Sequence, residues 1–169
     1  MINTLSQNKT NLLDNSVVMI LLATLLLSIS SRVSIPIGVV PITAQTLAAY
    51  IIGFYLKPSE SFSVGLSWIL LGISGLPVFA PGFVSPFTCP SFGYIIGMTL
   101  GMPLMKISNN VIVSCVICYT ICHLIGCTWL YQFVHSWNLV FQCGVLPFII
   151  GECCKIAIVL GLNKINQKK

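Results

Sequence analysis

Long apolar stretches alternate with short polar segments along most of the chain. Six stretches are candidates for membrane-spanning helices, at about 16–35, 44–56, 62–78, 92–105, 110–131 and 144–162. A bilayer core about 30 Å thick needs roughly 20 apolar residues per helix, and fewer where the helix is buried in a bundle. The second and fourth stretches are short, so we expect tilted or interrupted helices there. The pattern predicts an all-α integral membrane protein, a bundle of six transmembrane helices.

Polar residues flank this predicted bundle on both sides. Residues 1–15 are rich in Asn, Gln, Ser and Thr, and residues 164–169 are basic. We therefore divide the chain into an N-terminal tail (1–15), a six-helix membrane domain (16–163) and a C-terminal tail (164–169), with both tails in the cytoplasm.

The composition supports a membrane location. Hydrophobic residues make up 56% of the chain and charged residues 7%, and the mean hydropathy is +0.98. Soluble domains carry roughly 25% charged residues because water covers their surface. The exterior of this chain must therefore face membrane lipid. The net charge of +5 is small and scattered, so nucleic acid is not an expected partner.

The positions of the lysines predict the orientation in the membrane. Six spans place both termini on the same side. If that side is the cytoplasm, the inner segments hold six lysines: Lys9, Lys57, Lys106, Lys164, Lys168 and Lys169. The outer segments, at about 36–43, 79–91 and 132–143, hold no Lys or Arg. Because Lys and Arg collect in cytoplasmic loops, this distribution predicts cytoplasmic N and C termini.

Two charged residues interrupt the last apolar stretch, "PFIIGECCKIAIVLGL" (147–162). Glu152 and Lys155 are three residues apart, so they share a helix face within pairing distance. An ionisable residue at membrane depth is costly unless it is paired or hydrated, which makes it a candidate functional residue. A pair that only neutralises itself gains little over two apolar residues. We therefore favour a ligand site, with the two side chains as the floor of a pocket open to the outside.

Four segments carry a resemblance to a known family. They are "IPIGVVPITAQTLAAYIIG" (35–53), "LGISGLPVFAPGF" (71–83), "CPSFGYIIGMTLG" (89–101) and "PFIIGECCK" (147–155). In order and spacing they resemble BioY, the biotin-specific substrate-binding (S) subunit of energy-coupling factor (ECF) transporters. The resemblance covers about 35–155, which is most of the chain.

The resemblance implies high-affinity binding of biotin near the outer face and its uptake across the bacterial cytoplasmic membrane by a multi-pass protein. It implies two partners besides lipid: an ECF coupling protein in the membrane and a pair of cytoplasmic ABC-type ATPases. The chain has no G-x-x-x-x-G-K-[ST] phosphate loop, so it is not itself the ATP-hydrolysing part. No enzymatic activity, cofactor or metal is expected. The alternative is an S subunit for a different vitamin or small polar-headed molecule.

The family's polar ligand residues map onto four positions. Glu152 and Lys155 match an acid and a lysine on the last span, although the acid is usually aspartate. Thr43 and Gln45 match a motif before the second span, and Gln45 offers both a donor and an acceptor to an amide-like ureido head. We expect Glu152 to accept the ureido N–H groups. Lys155 would then donate to the ureido oxygen or pair with Glu152.

Apolar contacts and the carboxylate of biotin involve further residues. Phe79, Phe83 and Tyr94 are expected to form the wall of the pocket, since ligand pockets are mostly apolar with few polar anchors. The carboxylate would face the outer mouth and meet Arg32 or loop N–H groups. The opposite orientation, with Lys155 on the carboxylate, is left open by the sequence.

Small residues predict two kinds of helix contact. Thr24 and Ser28 form a small-x-x-x-small pair on the first span, where the family resemblance implies contact with the coupling protein. Gly97 and Gly101 form a second such pair, which favours close packing inside the bundle. Cys115, Cys118 and Cys122 share a helix face and are expected to act as small apolar filler.

One histidine stands beside these cysteines. His123 directly follows Cys122 in the fifth apolar stretch. We interpret it as a packed or helix-bonding histidine rather than as a ligand to a metal.

Overall fold

The computed structural model describes residues 15–36, 38–83 and 85–167. Seven α-helices account for most of these residues: α1 (Ser16–Arg32), α2 (Gln45–Tyr55), α3 (Pro58–Ile73), α4 (Phe92–Leu104), α5 (Val111–Val134), α6 (Trp137–Gly144) and α7 (Leu146–Asn166). A 3-10 turn, Met105–Ile107, extends α4. Most of the predicted N-terminal tail (1–14, with Lys9) and the last two residues of the C-terminal tail, Lys168 and Lys169, lie outside the described residues.

Each predicted span has a matching helix, namely α1 to α5 and α7. Among the described residues, two helical stretches are long and apolar enough to cross a membrane, Val111–Val134 and Trp137–Asn166, while α1 and α4 with its 3-10 turn are shorter apolar helices. The third predicted span extended to residue 78, but α3 ends at Ile73. The chain turns at Gly75, whose φ of 91° lies in the left-handed region that glycine adopts without strain.

Two features depart from the predicted all-helical bundle. The segment 132–143, expected as an outer connection, contains the short helix α6, which buries Val140 and Gly144. The segment after α1 forms strand β1 (Ser34–Ile35), which pairs antiparallel with β2 (Ile42–Thr43). This small ladder brings the chain back over the end of α1, and its second strand leads directly into α2.

Glycines allow α4 and α5 to pack very closely. A Cβ atom added at Gly97 would lie 2.8 Å from the Cα atom of Cys122, and one added at Gly101 would lie 3.0 Å from the carbonyl oxygen of Cys118. Only glycine permits this approach of two helix backbones. The predicted close packing at the Gly97–Gly101 pair is therefore confirmed, and it lies inside the chain. Cys115, Cys118 and Cys122 are buried, as expected for filler.

Two hydrogen bonds define one end of the bundle. Ser16 at the start of α1 donates to Glu60 at the start of α3, with an O–O distance of 2.7 Å. Lys106, just after α4, donates to the carbonyl oxygen of Phe54 near the end of α2. We call this the lysine end, because Lys57 and Lys106 lie there. The ladder and the connection between α3 and α4 lie at the opposite end, the loop end.

Candidate functional site

A cavity of about 50 Å³ lies at the loop end, among α2, α4, α5, α7 and the connection after α3. Its lining is largely apolar with a few polar groups, the composition typical of small-molecule sites. The lining residues are Val40, Pro41, Thr43, Gln45, Thr46, Phe79, Ala80, Phe83, Ser91, Tyr94, Ile95, Met98, Cys122, His123 and Phe148. Five of the eight predicted ligand residues are among them: Thr43, Gln45, Phe79, Phe83 and Tyr94.

The polar wall begins where the ladder meets α2. The Thr43 hydroxyl donates to Gln45 Oε1 at 3.0 Å and accepts a hydrogen bond from the Gln45 backbone N–H at 3.3 Å. The carboxamide oxygen of Gln45 is thus already engaged. Its NH₂ group is the donor that Gln45 can present to a ligand.

Behind this wall lies a hydrogen-bonded charged network, which we call the acid cluster: Thr46, Tyr50, Glu152 and Lys155. Tyr50 and Glu152 are buried, and Thr46 and Lys155 are partly buried. Lys155 Nζ lies 2.7 Å from Glu152 Oε1, so the pairing distance expected from their spacing is confirmed. Thr46 Oγ1 donates to the same Oε1 at 2.7 Å, and the Tyr50 hydroxyl donates to Oε2 at 2.6 Å. Both carboxylate oxygens of Glu152 therefore accept at least one hydrogen bond. Glu152 as a whole residue is only 3% exposed.

The acid cluster stands one layer behind the cavity. Glu152 and Lys155 are not among the lining residues, whereas Thr46 is. Lys155 also donates to Thr46 Oγ1 at 2.6 Å, so this hydroxyl contacts both charged groups. The expected pocket floor of Glu152 and Lys155 is thus covered by Thr46.

Thr46 and Tyr50 were not among the predicted site residues. They lie four residues apart on α2 and therefore share one helix face. Two hydroxyls on the same face of an apolar helix were a signal that the sequence contained. The hydrogen-bond partner of these hydroxyls could not be inferred, because Glu152 is 106 residues from Thr46 in the sequence.

Phe79, Phe83 and Tyr94, the expected aromatic wall, line the cavity, and their contact with a ligand stays a prediction. The ring centroids of Phe79 and Phe83 are 4.4 Å apart, and Phe79 meets Trp68 edge-on at 5.0 Å. Phe79 fits because position 72 is glycine: a Cβ atom there would lie 1.9 Å from the Phe79 ring. The Tyr94 hydroxyl donates to the carbonyl oxygen of Gly144 at 3.0 Å, which ties α4 to the end of α6.

Arg32 lies beside the cavity rather than in it. It is the last residue of α1, and its Nη1 donates to the carbonyl oxygen of Phe79 at 3.1 Å. It lines a neighbouring cleft that shares Phe79, Ala80 and Phe83 with the cavity wall. Its guanidinium is therefore close to the loop end of the site, with its remaining N–H groups available as donors.

The predicted partner-contact pair lies on α1, away from the cavity. Thr24 is buried and Ser28 is half-buried. Their hydroxyls donate to carbonyl oxygens of α1 itself, those of Ile20 and Thr24. Exposed leucines, including Leu21 and Leu25, surround them. Their contact with a coupling protein stays a prediction.

The fold and the site together define a helical membrane protein with a small-molecule cavity at one end. Residues 5–168 match the model of the BioY family, and the chain belongs to this family. It is 32% identical over 156 residues to the biotin transporter BioY2 of Lactococcus lactis subsp. cremoris, with 85% of each chain covered. It is also 32% identical over 159 residues to a probable biotin transporter BioY of Rickettsia prowazekii, with 88% of this chain and 81% of the relative covered.

A solved structure resembles the whole bundle. The crystal structure of the S-component for biotin from an ECF-type ABC transporter superposes with a TM-score of 0.76 at 25% sequence identity. The match covers 91% of each chain, so the similarity includes both the loop end and the lysine end.

Proposed function

We propose that this chain binds biotin with high affinity and serves as the substrate-binding subunit of an ECF-type biotin transporter. The observation that carries this proposal is the acid cluster, an ion pair with a buried carboxylate directly behind a small, largely apolar cavity, in a member of the BioY family. Relatives bearing the name biotin transporter support the choice of ligand. The protein binds and moves its ligand and does not transform it.

The ureido head of biotin matches the polar groups of the site. A ureido group has two N–H donors and one carbonyl acceptor. Glu152 supplies acceptor oxygens, while Lys155 and the NH₂ group of Gln45 supply donors. The head binds against Thr46, and Glu152 accepts a ureido N–H while Lys155 donates to the ureido oxygen or stays paired with Glu152.

Binding requires the cavity to widen. Its volume of about 50 Å³ is far below the roughly 300–1,000 Å³ of pockets for drug-sized ligands. Rotation of Thr46 away from Glu152 would expose the carboxylate and enlarge the site at the same time. Phe79, Phe83 and Tyr94 then pack against the ring system of biotin.

The carboxylate end of biotin points to the mouth of the site, towards Arg32. A guanidinium with free N–H groups is well suited to a carboxylate. In this orientation Arg32→Gln weakens binding of biotin but not of biotin amide, which has no negative charge. In the opposite orientation, with the carboxylate on Lys155, Lys155→Met shows that selective effect instead.

The membrane arrangement follows from the same proposal. Helices α1 to α5 and α7 cross the bacterial cytoplasmic membrane, the lysine end faces the cytoplasm, and both termini lie there. The loop end with the cavity faces outward, where biotin enters. A coupling protein contacts α1 near Thr24 and Ser28, and a pair of cytoplasmic ATPases supplies the energy for uptake.

Equilibrium binding to the purified protein in detergent tests this function. Biotin should bind saturably with one molecule per chain, and vitamins without a ureido group should not compete at tenfold higher concentration. Absence of biotin binding, or equal binding of another vitamin, would overturn the proposal. A green fluorescent reporter fused after residue 169 tests the topology, because it becomes fluorescent only if the C terminus is cytoplasmic.

A further inference from the structure

His123 is a cavity-lining residue that the mechanism above does not use. It lies on α5, is 8% exposed and contributes to the cavity lining. Its Nδ1 lies 3.0 Å from the carbonyl oxygen of Tyr119, one helical turn earlier. Its Nε2 is buried and has no hydrogen-bond partner within the part of the chain that the structure describes. Buried polar atoms nearly always have a partner, so this exception needs an explanation.

The contact with Tyr119 determines which nitrogen carries the proton. A carbonyl oxygen only accepts hydrogen bonds, so Nδ1 must be the N–H donor. A second proton on Nε2 would place a buried cation without a hydrogen-bond partner among aromatic rings, which is costly. The imidazole is therefore neutral, with the lone pair on Nε2. Because Nδ1 faces the α5 backbone, the Nε2 edge of the ring points away from that helix.

Aromatic neighbours hold the imidazole in this orientation. Tyr94 and Phe148 meet it edge-on, with centroid distances of 5.4 and 5.8 Å, and Tyr119 packs at 3.9 Å. Tyr94 and Phe148 line the same cavity. The acceptor is thus fixed before a ligand arrives, which lowers the entropic cost of forming a hydrogen bond to it.

We propose that His123 is a ligand-binding residue whose Nε2 accepts a hydrogen bond from an N–H group of the bound molecule. This inference rests on the proposed function and names a second acceptor for the ureido head beside Glu152. Two N–H groups then meet two acceptors on different helices, α5 and α7. His123 in this role selects for a head with an N–H donor and against an alkylated one.

Two variants and two ligands test this role. His123→Phe keeps an aromatic ring but removes the acceptor, whereas His123→Gln keeps a polar acceptor at a similar reach. Each is titrated with biotin and with biotin methylated on a ureido nitrogen. We expect His123→Phe to bind biotin roughly tenfold more weakly, as for the loss of one buried hydrogen bond. Its preference for biotin over the methylated analogue should shrink, and His123→Gln should recover part of both.

A control and a spectroscopic readout separate binding from packing. His135→Asn, at an exposed position with φ of 51° that asparagine tolerates, should leave both affinities unchanged. In ¹⁵N-histidine-labelled protein, the Nε2 resonance of His123 should move towards hydrogen-bonded values when biotin is added.

Two results would overturn the inference while leaving biotin binding intact. One is wild-type affinity in His123→Phe. The other is an equal loss for both ligands together with an unchanged Nε2 resonance, which is the pattern of a packing role alone. If the wild-type protein binds no biotin, the proposed function fails, and the inference fails with it.

Discussion

Thr46 and Glu152, 106 residues apart in the chain, are joined by a hydrogen bond of 2.7 Å between a hydroxyl and a carboxylate. Thr46 lines the cavity and Glu152 does not. The hydroxyl is therefore the link between the space that receives a ligand and the charge buried behind it. Because Thr46 also accepts from Lys155, its rotation would change the hydrogen bonding of both charged groups.

Thr46→Val tests this link. Valine has nearly the shape of threonine but makes neither hydrogen bond, so Glu152 and Lys155 each lose one partner. We expect biotin affinity to fall by up to about tenfold, because valine still covers the carboxylate but cannot offer the ureido head the hydrogen bond that a rotated Thr46 hydroxyl can, and such a bond contributes roughly 0.5–1.5 kcal/mol. Isothermal titration calorimetry in detergent measures the change. Thr128→Val is the matched control, because Thr128 is exposed and donates only within α5 to Leu124; an equal loss in both variants would contradict the assignment.

Removal of one partner of the buried ion pair should cost more than removal of both. Glu152→Gln or Lys155→Met leaves an uncompensated charge, which costs about 3–5 kcal/mol in buried pairs, and the double variant should regain most of that free energy of unfolding. Biotin binding should be strongly reduced in all three variants. Thermal unfolding in detergent and biotin titration measure the two effects independently.

The pair of Lys57 and Glu60 at the lysine end provides the control for that comparison, because its lysine is exposed. It has the same i, i+3 spacing, but its Nζ–Oε1 distance is 3.8 Å and the lysine side chain is 77% exposed. Surface pairs contribute only about 0–1 kcal/mol. Lys57→Met should therefore leave both biotin affinity and the unfolding temperature nearly unchanged. Full biotin binding in Glu152→Gln and Lys155→Met would refute a role of the acid cluster in recognition.

Most of the fold could be predicted from the sequence, because an apolar helix is recognisable from its own residues alone. A long stretch of mostly apolar residues is sufficient to predict a helix, and each of the six stretches has one. Helix α6 was missed because eight residues are too few to cross a membrane, and its position depends on burial of Val140 and Gly144 by the bundle. The β ladder was missed for a similar reason, since two residues per strand leave no periodicity to detect.

The candidate site was predictable only in part. Glu152 and Lys155 were conspicuous because charges are rare at membrane depth. Thr46 and Tyr50 were not, because hydroxyl groups are common in apolar helices and their partner is on another helix. The role of His123 was equally hidden in the sequence. Its Nε2 atom is left without a partner among the described residues because Nδ1 contacts the carbonyl oxygen of Tyr119, and no sequence pattern encodes that contact.

Tyr94→Phe should separate the ring of Tyr94 from its hydroxyl. The variant keeps the aromatic wall but removes the hydrogen bond to the carbonyl oxygen of Gly144, which ties α4 to α6. We expect a loss of roughly 1 kcal/mol in the free energy of unfolding. Biotin affinity should change by less than about threefold, because the Tyr94 hydroxyl is engaged by Gly144 and the aromatic ring remains. A threefold change corresponds to roughly 0.7 kcal/mol. Tyr55→Phe, at an exposed position, is the control for stability; a large loss of biotin affinity in Tyr94→Phe would instead place the hydroxyl in the ligand site.

Gly97→Ala should destabilise the bundle through a single added methyl group. The new Cβ atom would lie 2.8 Å from both the Cα atom and the carbonyl oxygen of Cys122, so the backbones of α4 and α5 must separate. Overpacking of this kind costs about 1–3 kcal/mol. Gly151→Ala is the control, because no atom lies within 4 Å of a Cβ atom at that position in α7. Since alanine favours a helix over glycine, Gly151→Ala should keep or raise the unfolding temperature, while Gly97→Ala lowers it. Equal unfolding temperatures for the two variants, measured in the same detergent, would show that α4 and α5 are not packed against each other at Gly97.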